Sequence, residues 1–105
     1  MNLHGNAGIW RQIQKMQAEM AKIQEELGTK TVEASAGGGA VKVTVNGHLE
    51  LKSIEIDPAA VDPAEVDLLE DLILAAVNEG LRRAQEMAGA AMAKFTGGLK
   101  IPGLG

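Results

Sequence analysis

Apolar residues recur along the first quarter of the chain at helical spacing. Successive positions are four or three residues apart and form one stripe on an α-helix: Ile9, Ile13, Met16, Met20, Ile23 and Leu27. The intervening positions are filled mainly by Gln, Lys and Glu, which are good helix formers. Gly28 stands where a C-terminal glycine cap would end the helix. The pattern predicts a helix over about residues 6–27.

Three stretches with the character of β-strands follow. "TKTVEAS" is rich in strand-forming residues, "AVKVTV" alternates valine with polar residues, and "LELKSIEI" reads as the returning strand. Asn46-Gly47 predicts a two-residue type I′ turn, because both residues tolerate the positive φ that this turn requires. We therefore expect a three-stranded antiparallel sheet with strands over about residues 29–36, 40–46 and 49–56.

The third predicted strand changes the parity of its apolar residues. Leu49 and Leu51 fall on one face, whereas Ile54 and Ile56 fall on the other. A β-bulge near Lys52-Ser53 would re-phase the strand. Alternatively, the two faces are buried in different places, one against helices and one against another subunit. The sequence leaves both possibilities open.

A second, longer helix closes the chain. Asp62, Pro63 and Glu65 form a start resembling a capping box, and apolar residues then recur at helical spacing to about Phe95. Gly80 near the middle indicates either a bend or a close backbone contact. We predict a helix over about residues 63–95, a flexible tail over 97–105, and one α+β domain of order α-β-β-β-α over 1–105.

Composition restricts the class of protein. The 105 residues include no cysteine, which excludes disulfides and zinc sites built on thiolates. The sequence shows neither a signal peptide nor an apolar run of about 18 residues, so we expect a soluble, cytoplasmic protein without a membrane partner.

The glycine run in "AGGGAVKVTVNG" does not have the setting of a phosphate-binding loop. Such loops join a strand to a helix, whereas residues 37–39 lie between two predicted strands and Lys42 lies within one. Acid pairs such as Glu55 and Asp57 have no accompanying nucleophile, and neither histidine has a catalytic setting. We expect no enzymatic activity, no small-molecule substrate, no cofactor and no metal.

Charge is distributed unevenly, although the formal net charge is −4. Residues 1–30 carry four bases and three acids, residues 50–79 one base and nine acids, and residues 80–105 four bases and one acid. On the first helix, Arg11, Lys15 and Lys22 form a narrow stripe opposite the apolar one. On the second helix, the spacing of Glu79 and Arg83 would allow a local ion pair. Geometry alone does not separate a binding surface from a solvated face.

The order of several segments resembles the YbaB/EbfC family of small bacterial nucleoid-associated proteins. "IQKMQAEMAKIQEELG" is similar to the family's first helix, and "GGGAVKVTVNGHLELKSIEIDP" to its glycine turn, hairpin and strand. "LLEDLILAAVNEGLRRAQE" is similar to its most distinctive stretch, and "GGLKIPGLG" to its ending. The resemblance covers nearly the whole chain.

This resemblance implies a tweezer-like homodimer that binds double-stranded DNA through projecting helices and acts in nucleoid organisation and gene expression. It draws attention to six candidate DNA-contacting residues: Arg11, Lys15, Lys22, Arg82, Arg83 and Lys94. The dimer interface is expected on the sheet, at Val41, Val43, Val45, Leu51, Ile54 and Ile56. Binding would be mostly to phosphates and sensitive to salt. The alternative is a helical protein-interaction scaffold with incidental DNA affinity.

Overall fold

Two long helices flank a three-stranded antiparallel sheet. The computed structural model describes residues 3–97, and the predicted tail lies, apart from Gly97, outside them. The elements follow the predicted order, which confirms the α+β fold. Their bounds are α1 Leu3–Thr29, β1 Thr31–Ala36, β2 Val41–Asn46, β3 Leu51–Ile56 and α2 Val66–Gly97. Two short 3-10 turns, Pro58–Ala60 and Pro63–Glu65, lead from β3 into α2.

The sheet has the order β1-β2-β3, so that β2 is central. The register aligns Ala34 of β1 with Val43 of β2, and Val43 with Ile54 of β3. The glycine run forms the turn between β1 and β2, where all three glycines have positive φ values of 66°, 67° and 93°. Residues with a side chain rarely adopt this backbone conformation, so glycine is needed to form the turn.

A β-bulge in β3 resolves the change of parity. Thr44 pairs with Ser53 and Val45 with Leu51, which leaves Lys52 without a partner. The extra residue brings Leu51, Ile54 and Ile56 onto the face that carries the valines of β2. The first of the two possibilities therefore holds.

The core lies between α2 and the first two strands. The side chains of Val41, Val43 and Val45 are almost completely buried and cluster with Ala76 and Ala84 of α2.

Gly80 explains how the helix and sheet come so close. A Cβ atom at this position would lie 2.9 Å from a methyl carbon of Val43 and 2.9 Å from one of Val45. Of the two roles predicted for Gly80, the structure shows the close contact.

Two local predictions are wrong. The hairpin between β2 and β3 has a four-residue loop, 47–50, and its residue with positive φ is Leu49 at 62°. Neither Asn46 nor Gly47 has the positive φ of a type I′ turn. Gly28 is not a left-handed cap either, because α1 continues through Thr29. Hydrogen bonds from the β2–β3 loop satisfy the end of α1 instead, as described below.

Candidate nucleic-acid interface

The basic stripe of α1 is open to solvent. Arg11, Lys15 and Lys22 are all exposed, and their spacing places them within a narrow sector of the helix. The ion pairs found within residues 3–97 do not involve any of the three. Their charges are therefore available to an external anion.

The opposite stripe of α1 is apolar and is covered only near the end of the helix. Leu27 is buried and Ile23 is half-buried, whereas Ile9 is 57% exposed and Met20 41%. Ile23 and Leu27 line a cleft shared with α2. Because the basic stripe lies on the other side of α1, it points away from α2.

The two candidate arginines of α2 are held by acids of the same helix. Nε of Arg82 donates to a Glu79 carboxylate oxygen at 3.0 Å, and its guanidinium also binds Glu86. Nε of Arg83 donates to Glu79 at 3.0 Å, and its Nη1 donates to the Glu33 carbonyl of β1 at 2.7 Å. The predicted pair of Glu79 and Arg83 is thus present, within a larger cluster.

This cluster perturbs the protonation of its members. Hydrogen bonds from Arg82 and then Arg83 lower the pKa of Glu79 to about 2. The same carboxylate raises the pKa of Arg82, mainly through its hydrogen bond. Glu79 therefore stays ionised at neutral pH and offsets the positive charge of its neighbours.

Lys94 lies apart from both groups. It lines the cleft between α1 and α2, which has a volume of about 520 Å³, together with Lys30 and Glu26. The remaining lining is apolar and includes Met87 and Phe95. The six predicted DNA-contacting residues thus form three groups in the single chain: the α1 stripe, the ion-paired arginines, and Lys94.

The residues predicted for the dimer interface divide into two sets. The three valines of β2 are at most 1% exposed within the single chain, so they present no surface to a partner. Leu51, Ile54 and Ile56 are 36–42% exposed, because α2 packs against β1 and β2 and leaves β3 uncovered.

Other kinds of site are not found in the described part of the chain. Over residues 7–97, whose side chains the structure describes, no group of three or more His, Cys, Asp or Glu side chains could hold a metal ion. Neither helix, over the same residues, is long and apolar enough to cross a membrane.

The carboxylate of Glu79 is the main element that sequence reasoning underestimated. One glutamate serves two arginines, at positions three and four residues further along the helix. The signal was the i,i+3 and i,i+4 spacing of opposite charges, which places such side chains side by side.

Sequence comparison relates nearly the whole chain to one family. The profile of the YbaB/EbfC DNA-binding family matches residues 2–99. A nucleoid-associated protein of Moorella thermoacetica is 64% identical over 95 residues, covering 90% of this chain and 91% of that protein. A nucleoid-associated protein of Pelotomaculum thermopropionicum is 60% identical over 96 residues, covering 91% of each.

A solved structure has the same fold at low sequence identity. The crystal structure of an uncharacterized protein from Helicobacter pylori superimposes with a TM-score of 0.74 and is 21% identical to this chain. The match covers 91% of this chain and 98% of the other.

Proposed function

Since this chain belongs to the YbaB/EbfC DNA-binding family, we propose that it binds double-stranded DNA as a homodimer, mainly through phosphate contacts from α1. The observation that carries this proposal is the exposed stripe of Arg11, Lys15 and Lys22, which has no acidic partner within residues 3–97. Basic side chains that lack an acidic partner on an exposed helix attract phosphates regardless of the DNA sequence.

The chain's overall acidity does not contradict this role. The segment 50–79 contains nine of the 14 acids and belongs to β3, the 3-10 turns and the first half of α2. The basic stripe lies outside this segment, on α1 near the start of the sequence. Such a separation lets a locally positive surface approach DNA while the acidic part stays outside the contact.

The arginines of α2 have a secondary role in this proposal. Glu79 and Glu86 neutralise much of their charge, and Arg83 is also bonded to the backbone of β1. They would contact phosphate only at the loss of those partners. Lys94 is exposed on α2 and supplies an additional contact.

Dimerisation would use the uncovered apolar residues of β3. Leu51, Ile54 and Ile56 share one face of the sheet beside α2 and remain more than a third exposed. Burying them against a second copy removes apolar surface from water. A symmetric dimer would present two equivalent copies of α1, each forming a basic arm that carries Arg11, Lys15 and Lys22. The valines of β2 lie beside this surface on the same face of the sheet, where α2 covers them.

We further propose that the protein is not an enzyme and acts at the nucleoid in the cytoplasm, where it affects chromosome organisation and gene expression. Its relatives from Moorella and Pelotomaculum are both named nucleoid-associated proteins. The proposed contacts need no cofactor and no small-molecule substrate.

A salt titration of duplex binding tests the proposal. If both copies of the stripe contact phosphate, about six phosphates are engaged, and log K should fall against log salt with a slope of about −5. Charge reversal at Arg11, Lys15 and Lys22 should remove most of that slope. Light scattering at each salt concentration must show an unchanged dimer, so that dissociation cannot produce the slope.

A protein-interaction scaffold is the second candidate function. The exposed apolar stripe of α1, with Ile9 57% exposed, favours it, because such surfaces pack against partner helices. Absence of salt-dependent duplex binding even at low ionic strength would reject the DNA proposal in favour of the scaffold.

A further inference from the structure

Helix α1 is attached to the rest of the chain almost entirely at its C-terminal end. Leu27 is 2% exposed, whereas residues 7–15 are exposed throughout. Arg11 lies 17 residues before Gly28, which corresponds to about 25 Å along a helix. A tilt of about 10° at this end would move Arg11 by about 4 Å, more than the ~3.4 Å rise between base pairs. The attachment therefore determines where the basic stripe lies.

Backbone groups at the end of α1 are bonded by the loop between β2 and β3. The Gly47 amide donates to the Leu27 carbonyl at 2.8 Å, and Asn46 Nδ2 donates to the Gly28 carbonyl at 3.2 Å. The His48 ring is bonded through Nε2 to the Gln24 carbonyl at 2.6 Å. Since a carbonyl can only accept, His48 carries its proton on Nε2. Helix-end carbonyls need such partners, and here another part of the fold supplies them.

The loop is itself held in one conformation by Asn46. This side chain is 1% exposed, and its Oδ1 accepts from the backbone amides of His48 and Glu50, both at 3.0 Å. Its Nδ2 also donates to the Glu50 carboxylate at 2.8 Å. That hydrogen bond is the largest cause of the lowered pKa of Glu50. Asn46 thus bonds the loop and the helix end at once.

Two glycines allow the loop and helix to approach this closely. A Cβ at Gly47 would lie 2.6 Å from the Leu27 carbonyl oxygen and 2.8 Å from the Leu27 Cβ. A Cβ at Gly28 would lie 2.8 Å from the His48 ring. Gly47 does not have a positive φ, so space rather than backbone conformation requires glycine there.

From these contacts we propose that Asn46, Gly47 and His48 are positioning residues for DNA binding. They fix the angle of α1 to the sheet, and in a dimer this angle sets the separation of the two basic arms. The separation in turn determines the length of duplex that both arms can engage. The inference rests on the proposed function, because it concerns the arms that bind DNA.

Spin-label distances test whether the loop sets the angle of α1. The chain has no native cysteine, so Gln14→Cys on α1 and Ser35→Cys on β1 introduce the only two labels. Mixing with excess unlabelled chain leaves one labelled copy per dimer. The Gly47→Ala variant should shift or broaden the distance distribution by several ångströms. His48→Ala should do so more mildly, and His48→Gln, whose amide can still donate to the Gln24 carbonyl, should restore part of it.

Val43→Ala serves as the control, because it weakens the core where β2 meets Gly80 of α2 and leaves the residues of the β2–β3 loop unchanged. It should leave the distance distribution unchanged. If Gly47→Ala does not fold, His48→Ala carries the test, since its side chain is 42% exposed and its replacement disturbs less. An unchanged distribution in the folded variants overturns the inference.

Duplex binding completes the test with the same variants. With two misaligned arms, only one engages the duplex at a time, so the salt slope should fall to roughly half its wild-type value. The minimum duplex length for tight binding should change as well. A wild-type slope in a variant whose arm has moved overturns the positioning role, whereas a wild-type protein without duplex binding overturns the proposed function itself.

Discussion

Replacing Gly80 by alanine should destabilise the protein, although alanine is the better helix former. Relative to glycine, alanine in a helix interior contributes about 0.5–1 kcal/mol. At this site, however, the new Cβ would lie 2.9 Å from methyl carbons of Val43 and Val45, well inside the ~3.5–4.0 Å optimum for two carbons. Both valines are buried and stiff about χ1, so neither can rotate away.

The two effects can be compared in magnitude. Overpacking a core typically costs about 1–3 kcal/mol, which exceeds the gain in helix propensity. We expect a net loss of about 1 kcal/mol for Gly80→Ala. Gly89→Ala in the same helix is the matched control, because nothing but its chain neighbours and the nearby backbone of α2 can lie within 4 Å of its Cβ position. There the propensity gain acts alone, and the protein should be stabilised by about 0.5–1 kcal/mol.

Thermal and urea unfolding at one fixed protein concentration would measure both changes, since the stability of the proposed dimer would depend on concentration. A change of 1 kcal/mol corresponds to about 4–8 °C in Tm for a domain of 60–100 residues. The two variants should move in opposite directions. If Gly80→Ala is as stable as Gly89→Ala, the close packing of α2 on the sheet is not what requires glycine.

Three further predictions concern the charges and the interface. Lys15→Gln should reduce the salt slope of duplex binding by about 2, one contact from each arm, whereas Lys42→Gln on the open face of the sheet should leave it unchanged. The carboxyl of Glu79, followed by NMR, should titrate at about pH 2. The stability that its ion pairs contribute should therefore be complete above pH 4.5 and be lost as the pH falls through about 2. A titration midpoint near 4.5 would refute these ion pairs. Ile54→Lys should give a monomer in light scattering at micromolar concentration, and Ser53→Lys, on the opposite face, should remain a dimer.

Sequence periodicity predicted the elements and their order because each is strongly patterned. The apolar stripe of α1 and the alternating valines of β2 each have one spacing that only one secondary structure satisfies. The capping arrangement of Asp62 was also predicted. In the structure its side chain accepts from the Ala64 amide at 2.9 Å, although the turn it caps is a 3-10 turn leading into α2.

The predictions that were wrong or left open concern contacts between elements distant in sequence. Asn46-Gly47 has the local signature of a tight turn, yet the loop is longer because its amides bond the end of α1. Gly28 and Gly47 are required by close approach, which a pattern read along one chain segment does not reveal. The changed alternation of apolar residues along β3 allowed two interpretations, and only the pairing partners of Ser53 and Leu51 distinguished them.

The sequence predicted which basic residues belong to the candidate site, but not how far neighbouring acids neutralise each of them. In the sequence Arg82 has acids three and four residues away and Arg11 has none, and in the structure both of those carboxylates bond Arg82. The extent of this neutralisation depends on side-chain geometry around the helix, and the contribution of each basic residue to DNA binding stays a prediction.

Lys52 stands in the bulge of a strand that forms one edge of the sheet. Edge strands with free amide and carbonyl groups can recruit strands from other molecules and so begin fibrous aggregates. A bulge interrupts the flat ladder that such growth requires, and an edge lysine adds repulsion between stacked copies. β3 can therefore expose the apolar side chains that the proposed dimer would bury while resisting open-ended polymerisation. Newly synthesised chains would thereby gain solubility before the proposed dimer forms.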